Sequence, residues 1–163
     1  MTSIVIDGHG VDFGLDNFAI LELARAWPLL RCLRLGSSGR RGLSRVTLKG
    51  LEHLVNHCRH LKTFSIAVDA QEPPTALDDM PNDCNTIISE VGFADTMIYN
   101  PLDVAVYLHL LFPNLQKIEM HGRSATATGD SWQQVERTIL AFRKVKDAKS
   151  RTLGPDTAAC SQC

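Results

Sequence analysis

His53 and His57 stand four residues apart, a spacing that puts two imidazoles on one face of a helix and could hold a metal ion. Leu54 follows His53 where a zinc protease needs a glutamate base, and no third ligand is evident nearby, so a surface pair is the simpler reading. Ser131, after Gly129-Asp130, could be a nucleophile, but no histidine lies downstream to act as its base. Asp130 and Ser131 also suit a helix cap, with Gln133 and Gln134 at capping-box spacing. Cys160 and Cys163 form a single C-x-x-C in a polar tail, short of the four ligands of structural zinc. Gly36-Ser-Ser-Gly39-Arg40-Arg41-Gly42 is glycine-rich and basic but lacks the Gly-Lys-Ser/Thr ending of a phosphate loop. None of these groups predicts catalysis, a cofactor or a resident metal. The chain reads as a non-enzyme.

The elements around these residues repeat. Leu30-Arg-Cys-Leu33-Arg-Leu35, Leu61-Lys-Thr-Phe64-Ser-Ile66 and Leu115-Gln-Lys-Ile118-Glu-Met120 each carry apolar residues at positions 1, 4 and 6. This is the L-x-x-L-x-L core of a leucine-rich repeat. Weaker copies start at Met1 and Ile88, giving anchor intervals of 29, 31, 27 and 27 residues. Such lengths hold one strand and one helix. Offsets of 13, 10, 7 and 3 residues before Leu61 fall on Leu48, Leu51, Leu54 and Cys58. The same offsets give Leu102, Ala105, Leu108 and Phe112 before Leu115, and Asn17, Ile20, Leu23 and Trp27 before Leu30. That spacing is one helical stripe. Pro28 and Pro113 mark where helices stop. Residues 69–87, with Glu72-Pro-Pro and Met80-Pro, predict loop or a short helical turn.

The expected architecture is α/β, a leucine-rich-repeat solenoid over residues 1–148. Its parallel sheet lies on the concave face and its helices on the convex face. Trp132, Val135, Ile139 and Phe142 make the apolar side of a closing helix over 131–147, and 149–163 reads as a disordered tail. The Met1 strand begins in mid-pattern, which predicts an exposed edge or a piece of a longer design.

With 163 residues, 44% hydrophobic, and a net charge of −1, the chain fits one globular domain with no demand for a nucleic-acid or membrane partner. No apolar run approaches the ~20 residues of a membrane span. The start lacks a basic, then long apolar, signal pattern. Five cysteines without a dense framework predict reduced thiols, hence cytoplasm or nucleus.

Several phrases go further. Leu23-Ala-Arg-Ala-Trp-Pro-Leu-Leu-Arg-Cys-Leu-Arg-Leu-Gly36, the run Arg45 to Leu61, Val68-Asp-Ala70 and Leu111-Phe-Pro-Asn-Leu115 together resemble the repeat region of fungal, mainly basidiomycete, F-box proteins. The resemblance covers about residues 15–145 and lacks the F-box. It implies capture of a protein target for a ubiquitin ligase, without implying binding to the ligase adaptor. Gly129-Asp130-Ser131 is similar to the nucleophile phrase of one esterase group, which makes a small hydrolase using Ser131 the alternative. A non-functional fragment of a longer F-box protein is a third reading.

A binding role assigns the contact to strand positions that face away from the core: Arg34, Thr63, Ser65, Glu90, Lys117, Glu119 and His121, with Cys32, Gly36, Ala67, Gly92 and Ala94 between them. Their mixed charge and lack of aromatics suit a polar contact with an unidentified protein.

Overall fold

The computed structural model describes residues 2–9, 14–38, 44–75, 79–94, 98–121 and 129–152. Strands β1 (Ser3–His9), β2 (Cys32–Ser38), β3 (Thr63–Ala67), β4 (Glu90–Ala94) and β5 (Lys117–His121) form one sheet in sequential order, every pair parallel. Helices α1 (Asn17–Ala26), α2 (Gly50–His57), α3 (Pro101–Leu111) and α4 (Gly129–Thr152) complete the fold. The α/β class and the parallel sheet are as the periodicity predicts.

The register follows the 1-4-6 phrase. Ile4, Leu33, Phe64, Val91 and Ile118 align across the five strands, so each repeat enters the sheet in phase. Leu33, Leu35, Phe64, Ile66, Val91 and Phe93 are buried in the core with Ile20, Leu51, Leu54, Val104 and Leu108 of the helices. The alternate residues Arg34, Thr63, Ser65 and Glu90 are partly or fully exposed. One face of the sheet is therefore packed on helices, while on the other these side chains are accessible and Gly92 among them is buried. Because strand order never reverses, successive crossovers of one hand stay on one side.

A single turn is written three times. The N–H groups of Trp27, Cys58 and Phe112 donate to the helix carbonyls of Leu23, Leu54 and Leu108 at 3.1, 2.8 and 2.8 Å. The carbonyls of Trp27, Cys58 and Phe112 then accept from the anchors Leu30, Leu61 and Leu115, each at 3.0 Å. Among the described residues no α-helix lies between β3 and β4, in line with the prolines of 69–87. There Asn85, also three residues before its anchor, makes the turn with its side chain. Its Oδ1 accepts from Ile87 N at 2.8 Å and Ile88 N at 3.1 Å, its N–H donates to Leu111 O at 2.8 Å, and its Nδ2 reaches Leu61 O at 3.4 Å. Asn85 is buried, which its side chain tolerates because both Oδ1 and Nδ2 have partners.

Some expectations need correction. Ile6 and Leu102 occupy apolar pattern positions but are 47% and 54% exposed. Ile6 lies on the outermost strand, and Leu102 is the second residue of α3. Asp130 and Ser131 sit inside the first turn of α4, which begins at Gly129, so neither is its cap. The helix also runs on to Thr152, into the span read as tail. The rest of that tail, with Cys160 and Cys163, and Gly39–Gly42 lie outside the described residues.

Gly50 opens α2 where no larger residue fits. A Cβ there would stand 2.3 Å from Asn17 Oδ1 and 3.2 Å from Val46 Cγ1. Asn17 is not free to move: Oδ1 accepts from Thr47 N and Nδ2 donates to Thr47 Oγ1, both at 2.9 Å. Gly50→Ala is expected to cost about 1–3 kcal/mol, read from the urea midpoint. The double variant with Asn17→Ala should lose less than the sum of the two single changes.

Candidate binding face

The face turned away from the helices holds the residues that the sequence assigns to contact. Cys32, Thr63, Glu90 and Lys117 lie in one row across β2 to β5. Arg34, Ser65, Gly92 and Glu119 form the next row. Ala67, Ala94 and His121 end β3, β4 and β5 in a third, and the His121 side chain is outside the described residues. In-phase pairing thus brings residues up to 89 positions apart (Cys32 to His121) onto one surface.

The charges sit at the two flanks. Glu90, Lys117 and Glu119 cluster at the β4–β5 side, where Lys117 Nζ lies 2.6 Å from Glu119 Oε1. The hydrogen bond to Glu119, then its charge and those of Glu90 and Glu136, hold the Lys117 ammonium above its usual range. Arg34 stands alone on β2, three strand spacings from Glu119, or about 14 Å. Between them Thr63, Ser65 and Gly92 are small, so the floor is shallow. Such a surface offers dispersed polar contacts.

Among the described residues the other candidate groups are not brought together. Ser131 is half-buried near the start of α4. On the neighbouring helix, the His109 ring packs on Phe142 with centroids 5.4 Å apart. Phe142 lies eleven residues beyond Ser131 along α4, about 16 Å away. That is too far for His109 to serve as a base. Among the described residues no group of three or more His, Cys, Asp or Glu is placed to hold a metal ion, so His53 and His57 stay a pair. Burial holds the His53 imidazole below its usual range, more than Glu52 raises it.

Two polar features escape a reading of periodicity. Tyr107 of α3 is fully buried, and its hydroxyl donates to the Glu52 carboxylate of α2; burial and that bond push the phenol well above its usual range. Lys49, at the start of α2, pairs with Asp79. A cleft of about 340 Å³ opens beside it, lined by Thr47, Lys49, Asp69, Gln71 and Glu72. Mixed polar composition at sequence separations near 25 residues gave no linear signal for it. The Cys58 thiol is buried against the carbonyls of Ala24 and Trp27, which pushes it up to about 11, so it is an inert core residue.

His109 supplies a pH dependence. Its Nδ1 is buried without a hydrogen-bond partner among the described residues. Burial first, then the cations of Lys146 and Arg143, hold its imidazole below the usual histidine range. The unfolded chain therefore binds a proton near pH 6.5 that the folded chain refuses. The stability that the neutral ring contributes is present above the unfolded value and is lost as pH falls through it. Unfolding midpoints at pH 7.5 and 5.5 should differ less in His109→Leu than in the native chain. An equal pH slope in both would remove His109 from this role.

Among the described residues no helix is long and apolar enough to cross a membrane. No family model matches the chain, no curated protein matches it, and no solved structure matches it.

Proposed function

We propose that this chain is a protein-recognition module of the leucine-rich-repeat kind, a solenoid whose concave side is the sheet face turned away from the helices. The reading rests on one observation: the parallel strands enter in phase, so the same outward positions line up in rows in which Arg34, Thr63, Ser65, Glu90, Lys117 and Glu119 are exposed or partly exposed and Gly92 is buried between them. A surface repeated in this way, backed by a sealed core, suits extended contact with a folded partner. The resemblance to F-box repeat regions extends the proposal to capture of a target for ubiquitin ligation inside the cell, without adaptor binding by this segment. No catalytic residue is assigned.

Affinity capture with the native chain, followed by mass spectrometry, should return a specific protein partner. Arg34→Glu combined with Lys117→Glu reverses one charge at each flank of the face. It should abolish capture of that partner while keeping the native circular dichroism spectrum, with a small loss in unfolding midpoint from the like charges of Glu90, Glu119 and Glu136 around position 117. Undiminished capture by the double variant counts against this face.

A further inference from the structure

We propose that two copies of this chain associate through the outer edge of β1, with the two β1 strands antiparallel about a twofold axis and the two sheets joined into one. The first observation is backbone direction. The N–H groups of Arg31 and Cys32 donate to Thr2 O at 2.7 and 3.1 Å, and Ser3 pairs with Cys32. In a parallel pair alternate residues turn both backbone groups to the neighbour. Even-numbered residues of β1 therefore face β2, while Ser3, Val5, Asp7 and His9 present N–H and C=O outward. Among the described residues nothing meets them.

The opposite edge is partly occupied by α4. On β5 the outward N–H of Ile118 donates to Glu136 Oε2 of α4 at 2.7 Å. Arg143 reaches Leu115 O at 3.4 Å, and Trp132 stacks on Phe93 beneath the sheet. Head-to-tail addition of copies would need both edges and would have to displace Glu136 from Ile118 N. Among the described residues β1 is the edge with no such contact, which favours the closed twofold pair.

The side chains agree with that register. The run Ser3-Ile4-Val5-Ile6 contains neither Lys nor Pro, the residues that commonly guard a free edge. Val5 is 56% exposed and Ile6 47%, whereas the residues equivalent to Ile6 on the next strands, Leu35, Ile66 and Phe93, are 6%, 1% and 0% exposed. Ile6 lacks the flanking strand that covers its equivalents. Centring the axis on Val5 makes the strand read against itself. Val5 meets Val5 of the second copy and exchanges two backbone hydrogen bonds with it. Ile4 meets Ile6, and Ser3 stands opposite Asp7. Each Ile6 then gains an isoleucine neighbour on the helix side. The pairing satisfies the outward backbone groups and covers the exposed apolar pair in one step.

Light scattering on the full chain over a concentration series tests this. The mass should rise from 18.0 kDa toward about 36 kDa, with half-association near micromolar concentration, as about five paired residues per strand make a small interface. Val5→Lys and Val5→Glu each set like charges across the axis and should weaken association at least about tenfold. Both should keep the native circular dichroism spectrum, since Val5 is exposed. An equimolar mixture of the two should form a mixed pair of about twice the chain mass, which a misfolded variant could not do. A native chain that stays at 18.0 kDa throughout overturns the proposal. So does association that Val5→Lys leaves unchanged, or a mixture that remains monomeric.

Discussion

Trp132→Ala is expected to lower the unfolding free energy by about 3–5 kcal/mol. The indole is 1% exposed and stacks on Phe93, with ring centroids 4.6 Å apart and planes 25° apart. It joins α4 to the core beside β4 and β5. Val135 and Ile139 continue the same buried side of the helix one and two turns later. Removing the indole leaves a large cavity between α4 and Phe93 of β4. The effect should spread beyond lost packing. Glu136 and Arg143, which cover the outer edge of β5, are held there by α4. Hydrogen exchange at Ile118 N–H should therefore accelerate in the variant along with exchange in α4 itself. Trp132→Phe, which keeps a ring against Phe93, should lose less than half as much. A loss below about 1 kcal/mol for Trp132→Ala would show that the helix is held by something other than this contact.

Asn85→Ala should be the costliest polar substitution, at about 2–3 kcal/mol in urea unfolding. The change deletes the acceptor for Ile87 N and Ile88 N in a region where Ile88 is fully buried. Those two donors would be left without partners, and an unmet buried donor costs more than a typical hydrogen bond contributes. Asn85 also ties three repeats together through Leu61, its own strand entry and Leu111. Amide exchange should rise at Ile87 and Ile88 first, while the turns at Leu30 and Leu61 keep their protection, because these use main-chain carbonyls. A uniform rise over all turns would argue that the fold is simply less stable as a whole, with no special role for Asn85.

These two residues show what a linear reading can reach. Trp132 was legible as one of four apolar residues at helical spacing. Its partner Phe93 was not, since that contact joins different repeats. Asn85 stands at the same offset from its anchor as Trp27, Cys58 and Phe112, which was a usable signal. A polar residue at an apolar offset hides it, and only its hydrogen bonds reveal that a side chain has taken over the work of a helix end. Ile6 shows the converse. Its pattern position marks it as core, yet it is nearly half exposed, because burial depends on a neighbour that pattern alone does not supply.

Periodicity by itself determined where the five strands lie, the helical stripes before Leu30, Leu61 and Leu115, and the in-phase register. Those follow from local geometry: alternation in strands, a turn of 3.6 residues in helices, and proline at helix ends. Tertiary structure alone decided which sheet edge α4 partly occupies, where the Asn85 side chain makes the turn, and how Tyr107, Glu52, His109 and Phe142 meet. Each of those depends on contacts between residues distant in the chain, whose energies are set by desolvation and hydrogen-bond partners in three dimensions rather than by spacing along the sequence.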